Sequence, residues 1–188
     1  MVPARILDSM NETELTLEVR TARVVVGVTG SASSGAALRR AVFEARRTGN
    51  LLVAVLAWEP PGGEAVYRRA PEPSLLPFWE QQARDRLDAA VAEALGAVPA
   101  DLHVETLVVR APAAFALNAL ADRADDLLVL GAGPRHTFTA RLRGRIRRQV
   151  VRTAEAPVLL VAPLSVPHRM RRELRHLSPE DFFAGHAC

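Results

Sequence analysis

The sequence predicts an α/β fold, a five-stranded parallel open sheet with helices on both faces. Three observations predict it. The runs RVVVGVT (23–29), LLVAVLAW (51–58) and DLLVLG (126–131) are almost continuously apolar, as strands buried on both faces are. Stretches with apolar residues at helical spacing lie between the strand-like runs. Strand and helix patterns alternate five times, which implies parallel βαβ units and a sheet covered on both sides.

Taken in order, TELTLEVR (13–20) alternates apolar and polar residues and reads as an edge strand or swapped arm. RVVVGVT is the first buried strand. GSASSG (30–35) follows and reads as a turn plus helix cap, since it lacks the surroundings of a nucleophilic serine. A helix over 34–48 buries Leu38, Ala41, Val42 and Ala45, and Gly49-Asn50 stops it. LLVAVLAW is the second strand. Five prolines in 59–77 mark a mobile excursion. Trp79, Ala83, Leu87, Val91 and Leu95 set the buried stripe of a helix over 77–95. LHVETLVV (102–109) is the third strand. Pro112 opens a helix whose apolar side is Phe115, Ala116, Leu120 and Ala124. DLLVLG is the fourth strand. A loop over 131–144 leads to a helix over 143–153, with Ile146, Val150 and Ala154 inward. PVLLVAP (157–163) is the fifth strand. The expected division is an N-terminal extension (1–22), one domain (23–163) and a basic tail (164–188), where Ser178 could cap a last helical turn.

With 188 residues the chain suits one domain plus extensions and can bury a core unaided. No apolar run reaches the roughly 20 residues of a membrane span. The N-terminus carries acids and lacks an apolar h-region, so no secretory signal is expected. The single cysteine, Cys188, supports neither disulfides nor a thiolate metal site, and a cytoplasmic location is expected. All 24 basic residues are arginine, so little titrates between neutrality and the pI of about 10.2. A net charge of +3 therefore persists to high pH, and the pI exaggerates how basic the surface is. Charge is concentrated instead: no acid lies between Asp126 and Glu155, a window rich in arginine.

Ligands of open parallel sheets bind beyond the carboxyl ends of the strands, at the switch point. Those ends are residues 29–35, 57–61 and 131–144, which converge on one crevice. The order VVVGVTGS, an Ala-rich helix, VAVLAWE, VVRAPAAFAL, DDLLVLGAG, a Gly-rich loop and APVLLVAP resembles the universal stress protein family over about residues 23–163. The resemblance implies an adenine-nucleotide α-hydrolase-like sandwich, often a homodimer joined through the last strand. Nucleotide-binding members carry a G-x2-G-x9-G-[ST] loop. On this chain Gly131 and Gly144 fit that spacing; Pro134 stands where the second glycine belongs, with Gly133 one place early. Arg145 replaces the hydroxyl residue, Thr29 the aspartate near the adenine, Ala111 the glycine after the third strand. Ala57 matches the position that meets adenine through its backbone. The implied binding residues are Thr29, Ala57, Gly131, Gly133, Arg135, Gly144, Arg145 and Ile146. Pro134 removes one N–H donor and stiffens the turn. Arg145 exchanges a hydroxyl for a cation with five donors.

Two readings of this loop stand side by side. It holds ATP, another adenine nucleotide or a different phosphorylated small molecule as a regulatory ligand, with magnesium entering only alongside a nucleotide. Alternatively it is a structural turn in a ligand-free dimeric module that docks partners through the Arg141–Arg152 face or the tail. Nucleic acid is not the expected partner, because no aromatic platform accompanies the arginines. His103, His136, His168, His176 and His186 are too scattered for a metal triad, and His136 alone falls in the loop. Trp58 and Trp79 read as core or pocket wall. No nucleophile pairs with a base, and Asp125 and Asp126 lie at the wrong end of their strand, so no catalytic residue is assigned and the chain is not expected to be an enzyme.

Overall fold

The computed structural model describes residues 22–96, 99–133 and 138–163, with side chains in the last stretch described from residue 144. The edge strand expected at 13–20, Pro134, Arg135, His136 and the tail lie outside the described residues.

The element order is β1 (Arg23–Gly27), α1 (Ala32–Thr48), β2 (Leu51–Trp58), α2 (Glu64–Tyr67), a 3-10 turn (Pro73–Leu75), α3 (Leu76–Leu95), β3 (Val104–Arg110), α4 (Ala113–Leu120), β4 (Leu127–Gly131), α5 (Phe138–Thr153) and β5 (Val158–Val161). The five strands line up as β3-β2-β1-β4-β5, and every neighbouring pair is parallel. The predicted fold class is therefore the observed one. The chain walks outward from β1 to β3, then returns to β4 on the other side of β1. That reversal opens a crevice between the carboxyl ends of β1 and β4.

Alternation along the strands sorts the core into two layers. Val24, Val26, Leu52 and Ala54 pack against Leu38 and Ala41 of α1 and Leu87 and Val91 of α3. Val25, Val53, Val55 and Leu128 pack on the opposite face against Ala114 and Leu117 of α4 and Val150 of α5. Each fully buried Val or Leu contributes about 1.5–3 kcal/mol. A surface pair such as Arg84–Glu80 contributes at most about 1 kcal/mol, so the two apolar layers hold the fold. At the amino end of the sheet, Asp126 is 1% exposed. It accepts hydrogen bonds from the Arg23 backbone N–H and guanidinium, both at 2.8 Å, and so clamps the start of β1 to the start of β4.

Three local expectations need correction. The last helix begins at Phe138, not Arg143. Ala140, Arg141, Leu142 and Arg143 are strong helix formers, and one glycine costs only about 1 kcal/mol, too little to delay the start. On α4, Ala116 is buried and Leu120 packs against the core as expected, but Phe115 is 69% exposed, Ala124 lies past the helix, and Ala114, Leu117 and, just beyond the helix end, Ala121 complete the inward side. Residues 114, 117 and 121 share one stripe at three- and four-residue spacing, which Phe115 falls outside. Finally, Ile146 is 38% exposed rather than buried.

The excursion after β2 carries α2 and the 3-10 turn, and one side chain ties it down. Arg110, at the end of β3, donates to both carboxylate oxygens of Glu64 at 2.7 and 3.1 Å. The same guanidinium lies over the rings of Tyr67 and Trp58, 4.7 and 5.9 Å from their centroids.

Candidate functional site

A cavity of about 120 Å3 occupies the crevice between β1 and β4. Small residues create it. Val25 and Val53 fill the α4 side of the sheet lower down, but the same rows continue upward as Gly27 and Thr29, and as Val55 and Ala57. A Cβ on Gly27 would lie 3.1 Å from Leu130 and 3.3 Å from Leu117, so its bare backbone lets those two side chains floor the cavity. A glycine inside a β-branched run marks such a close approach, and VVVGVT carried that signal.

One wall is the start of α1. Ser31 is its N-cap and forms a capping box with Ser34, as the turn-and-cap reading expects, although the helix begins at Ala32 rather than Ser34. Thr29 lies 3.0 Å from the Ser31 hydroxyl and donates to Ser34 at 3.3 Å. These three hydroxyls therefore satisfy one another. Ser33 differs: it is 6% exposed, lines the cavity, and its hydroxyl has no hydrogen bond within the described structure. The first-turn N–H groups of Ala32 and Ser33 are open, as helix starts leave them.

The β4–α5 connection, packed against the α1 start, forms another part of the wall. Gly131 is needed for packing: a Cβ there would sit 2.6 Å from the Ser33 carbonyl oxygen. Gly133 adopts φ +71, a left-handed conformation that other residues resist. Arg147, from the second half of α5, reaches back and donates through Nη1 to the Ala132 carbonyl.

Among the eight residues implied by the sequence, the structure brings Thr29, Ala57, Gly131, Gly133 and Ile146 around one cavity. Gly144 and Arg145 are not among its lining. Gly144 lies within α5, and Arg145 is exposed in a neighbouring open depression shared with Arg148, Arg152 and Leu160. Arg135 lies outside the described residues. Sequence reasoning missed Gly27, Ser33, Leu117 and Arg147. Arg147 had no signal beyond its place in an arginine run, because only the helix phase turns it toward Gly133.

The described lining contains no carboxylate, histidine or cysteine, and among the described residues no group of three or more potential metal ligands exists. No helix among them is long and apolar enough to cross a membrane. The arrangement can hold a small molecule against apolar walls while hydroxyls, open N–H groups and one guanidinium meet its polar end.

A sequence model of the universal stress protein family matches residues 21–162. The chain belongs to the universal stress protein family. A curated universal stress protein of Mycolicibacterium smegmatis is 34% identical over 143 residues, which is 74% of this chain and 45% of that protein. The chain thus spans about half the length of that relative. Two solved universal stress proteins share the fold. One from Archaeoglobus fulgidus, in complex with dAMP, has a TM-score of 0.52 and 20% identity, covering 74% of this chain and 97% of that one. UspA from Lactobacillus plantarum has a TM-score of 0.51 and 22% identity, covering 75% and 97%. In this universal stress protein domain the crevice lies where open α/β sheets take their ligands.

Proposed function

We propose that this universal stress protein domain binds an adenine nucleotide, or a closely related phosphorylated small molecule, in the β1/β4 crevice as a regulatory ligand. One observation carries the reading: the cavity joins an apolar floor of Val55, Leu117 and Leu130 to a rim of serine hydroxyls and one guanidinium. The floor suits a flat base and the rim suits a phosphate. The same fold accommodates dAMP in the Archaeoglobus fulgidus protein. The described lining offers no side chain suited to moving a proton, which favours a bound regulator over a substrate. With its one cysteine, the chain is read as a cytoplasmic protein.

The test is a thermal shift with ATP, AMP, cyclic AMP and plain phosphate, with and without magnesium. A ligand that binds only the folded state at a hundred times its Kd adds about 2.7 kcal/mol. Adenine nucleotides should raise the Tm of the wild type. They should not raise that of Ala113→Phe, whose ring would fill the cavity. No shift at millimolar ligand, or an equal shift in the variant, sinks the crevice assignment.

The same domain is read as a homodimer through β5. The two sheet edges differ in kind. β3 carries Glu105 and Arg110, whereas β5 is the uncharged VLLV with Leu160 44% exposed. A charged edge resists pairing and an apolar one invites it. A partner-docking role through the Arg145–Arg152 depression is the second reading. None of Arg145, Arg148 and Arg152 has a carboxylate partner among the described residues. A wild type that gives no shift with any nucleotide would favour it.

A further inference from the structure

We infer that the crevice takes a single phosphate group as a metal-free anion, with Arg147 as its counter-cation. The inference rests on the reading of the crevice as a nucleotide site, and it names a residue and an ionic form which that reading leaves open.

Arg147 is the only charged side chain among the described residues that line the cavity. Its Nη1 lies 3.8 Å from where a Cβ on Gly133 would stand, so the guanidinium runs along the β4–α5 connection. It rests on the Ala132 carbonyl, a neutral acceptor, and no described carboxylate pairs with it. Its charge is thus available to an anion, and a guanidinium matches phosphate with two parallel donors. Ser33, packed against Gly131 at the end of β4, lines the same cavity; it is nine-tenths buried and its hydroxyl has no hydrogen bond in the described structure. Among the described residues the only sealed, unpartnered polar side-chain atom is Asn118 Oδ1, so the Ser33 hydroxyl keeps access to the cavity. Beside it are the open N–H groups at the start of the 17-residue α1, whose dipole favours negative charge. Arg147 and Ser33 line one small cavity.

The described lining offers no carboxylate to a divalent cation. Magnesium is held by one or two carboxylates together with phosphate oxygens. A magnesium–triphosphate would also bring its cation toward Arg147. A lone phosphate, with at most two negative charges, matches the described guanidinium of Arg147 and the hydroxyl and N–H of Ser33.

The test is titration calorimetry with AMP, adenosine, ATP and inorganic phosphate, first in EDTA and then in magnesium. The proteins are the wild type, Arg147→Met, which keeps an apolar stem, and Arg147→Lys. Unliganded Tm values confirm that each variant is folded. AMP should bind in EDTA, tighter than adenosine. It should weaken by about tenfold or more in Arg147→Met and less in Arg147→Lys, the range expected for charge-assisted hydrogen bonds. Adenosine should bind all three proteins alike. AMP binding that needs magnesium, that is unchanged in Arg147→Met or that is no tighter than adenosine's overturns the inference and leaves the nucleotide reading standing. Phosphate binding lost in Arg147→Met, with no adenine compound binding better, supports the inference and removes adenine from the reading. No binding by any of the four overturns both.

Discussion

Two glycines of the expected phosphate loop have opposite physical characters. Gly131 faces backbone, with the Ser33 carbonyl 2.6 Å from any Cβ placed on it. Gly144 has no atom of the described residues within 4 Å of its would-be Cβ and sits inside α5. Gly131→Ala should therefore destabilise by about 1–3 kcal/mol, as overpacking does, because neither β4 nor the α1 start can retreat freely. Gly144→Ala should stabilise by up to about 1 kcal/mol through helix propensity. Urea denaturation of both variants checks the pair, and equal effects would contradict the geometry. The sequence spacing found both glycines but could not tell them apart. A motif records position, and the difference lies in what stands opposite across 98 residues of chain, Gly131 against Ser33. Gly27 is the converse case. It was no part of the expected phosphate loop, yet its missing side chain shapes the cavity floor.

Among the elements, those whose burial is uniform were legible. β1, β2 and β4 are apolar on both faces, so their runs needed no phase to be recognised. α4 and α5 were harder, because each packs one narrow stripe and the stripe depends on where the helix starts. An α5 that begins five residues earlier than expected turns a presumed loop into its first turn. The excursion between β2 and α3 shows a different limit: its prolines predicted irregularity, but its fastening comes from β3. The Arg110 hydrogen bonds hold the Glu64 carboxyl below its usual range. Arg47 does the same for Glu44, and Arg46 for Asp101. Such groups bind protons less readily folded than unfolded. Their stabilisation is present above the unfolded values, near pH 4, and is lost as pH falls through the lower folded ones. The wild-type Tm should thus drop below about pH 4. Arg110→Ala should make that drop shallower, lower the neutral Tm slightly and speed proteolysis within residues 59–75. An unchanged acid profile and cleavage rate would show that Arg110 does not fasten the segment.

At the scale of the whole molecule, the described sheet ends in two unlike edges, and the uncharged β5 is the edge proposed to pair. Leu160→Lys should halve the mass seen by light scattering while leaving the circular dichroism intact, since lysine on an edge strand opposes pairing. A wild type that is already monomeric, or a variant that stays dimeric, removes β5 as the interface. The strand order also fixes when the crevice comes into being. β1 pairs with β2 across the single α1 crossover, but the clamp between β1 and β4 joins Arg23 to Asp126, 103 residues apart. On a ribosome the chain emerges amino end first, and local pairings close before distant ones. The β1–β2–β3 half, with α1 and α3 on one face, has its strands in hand long before β4 appears. The wall at α1 is therefore ready early, while Gly131 and Arg147 arrive last. A nascent chain has no cavity to fill until β4 and α5 have emerged and docked, so a ligand proposed for this crevice would report that this domain has finished folding.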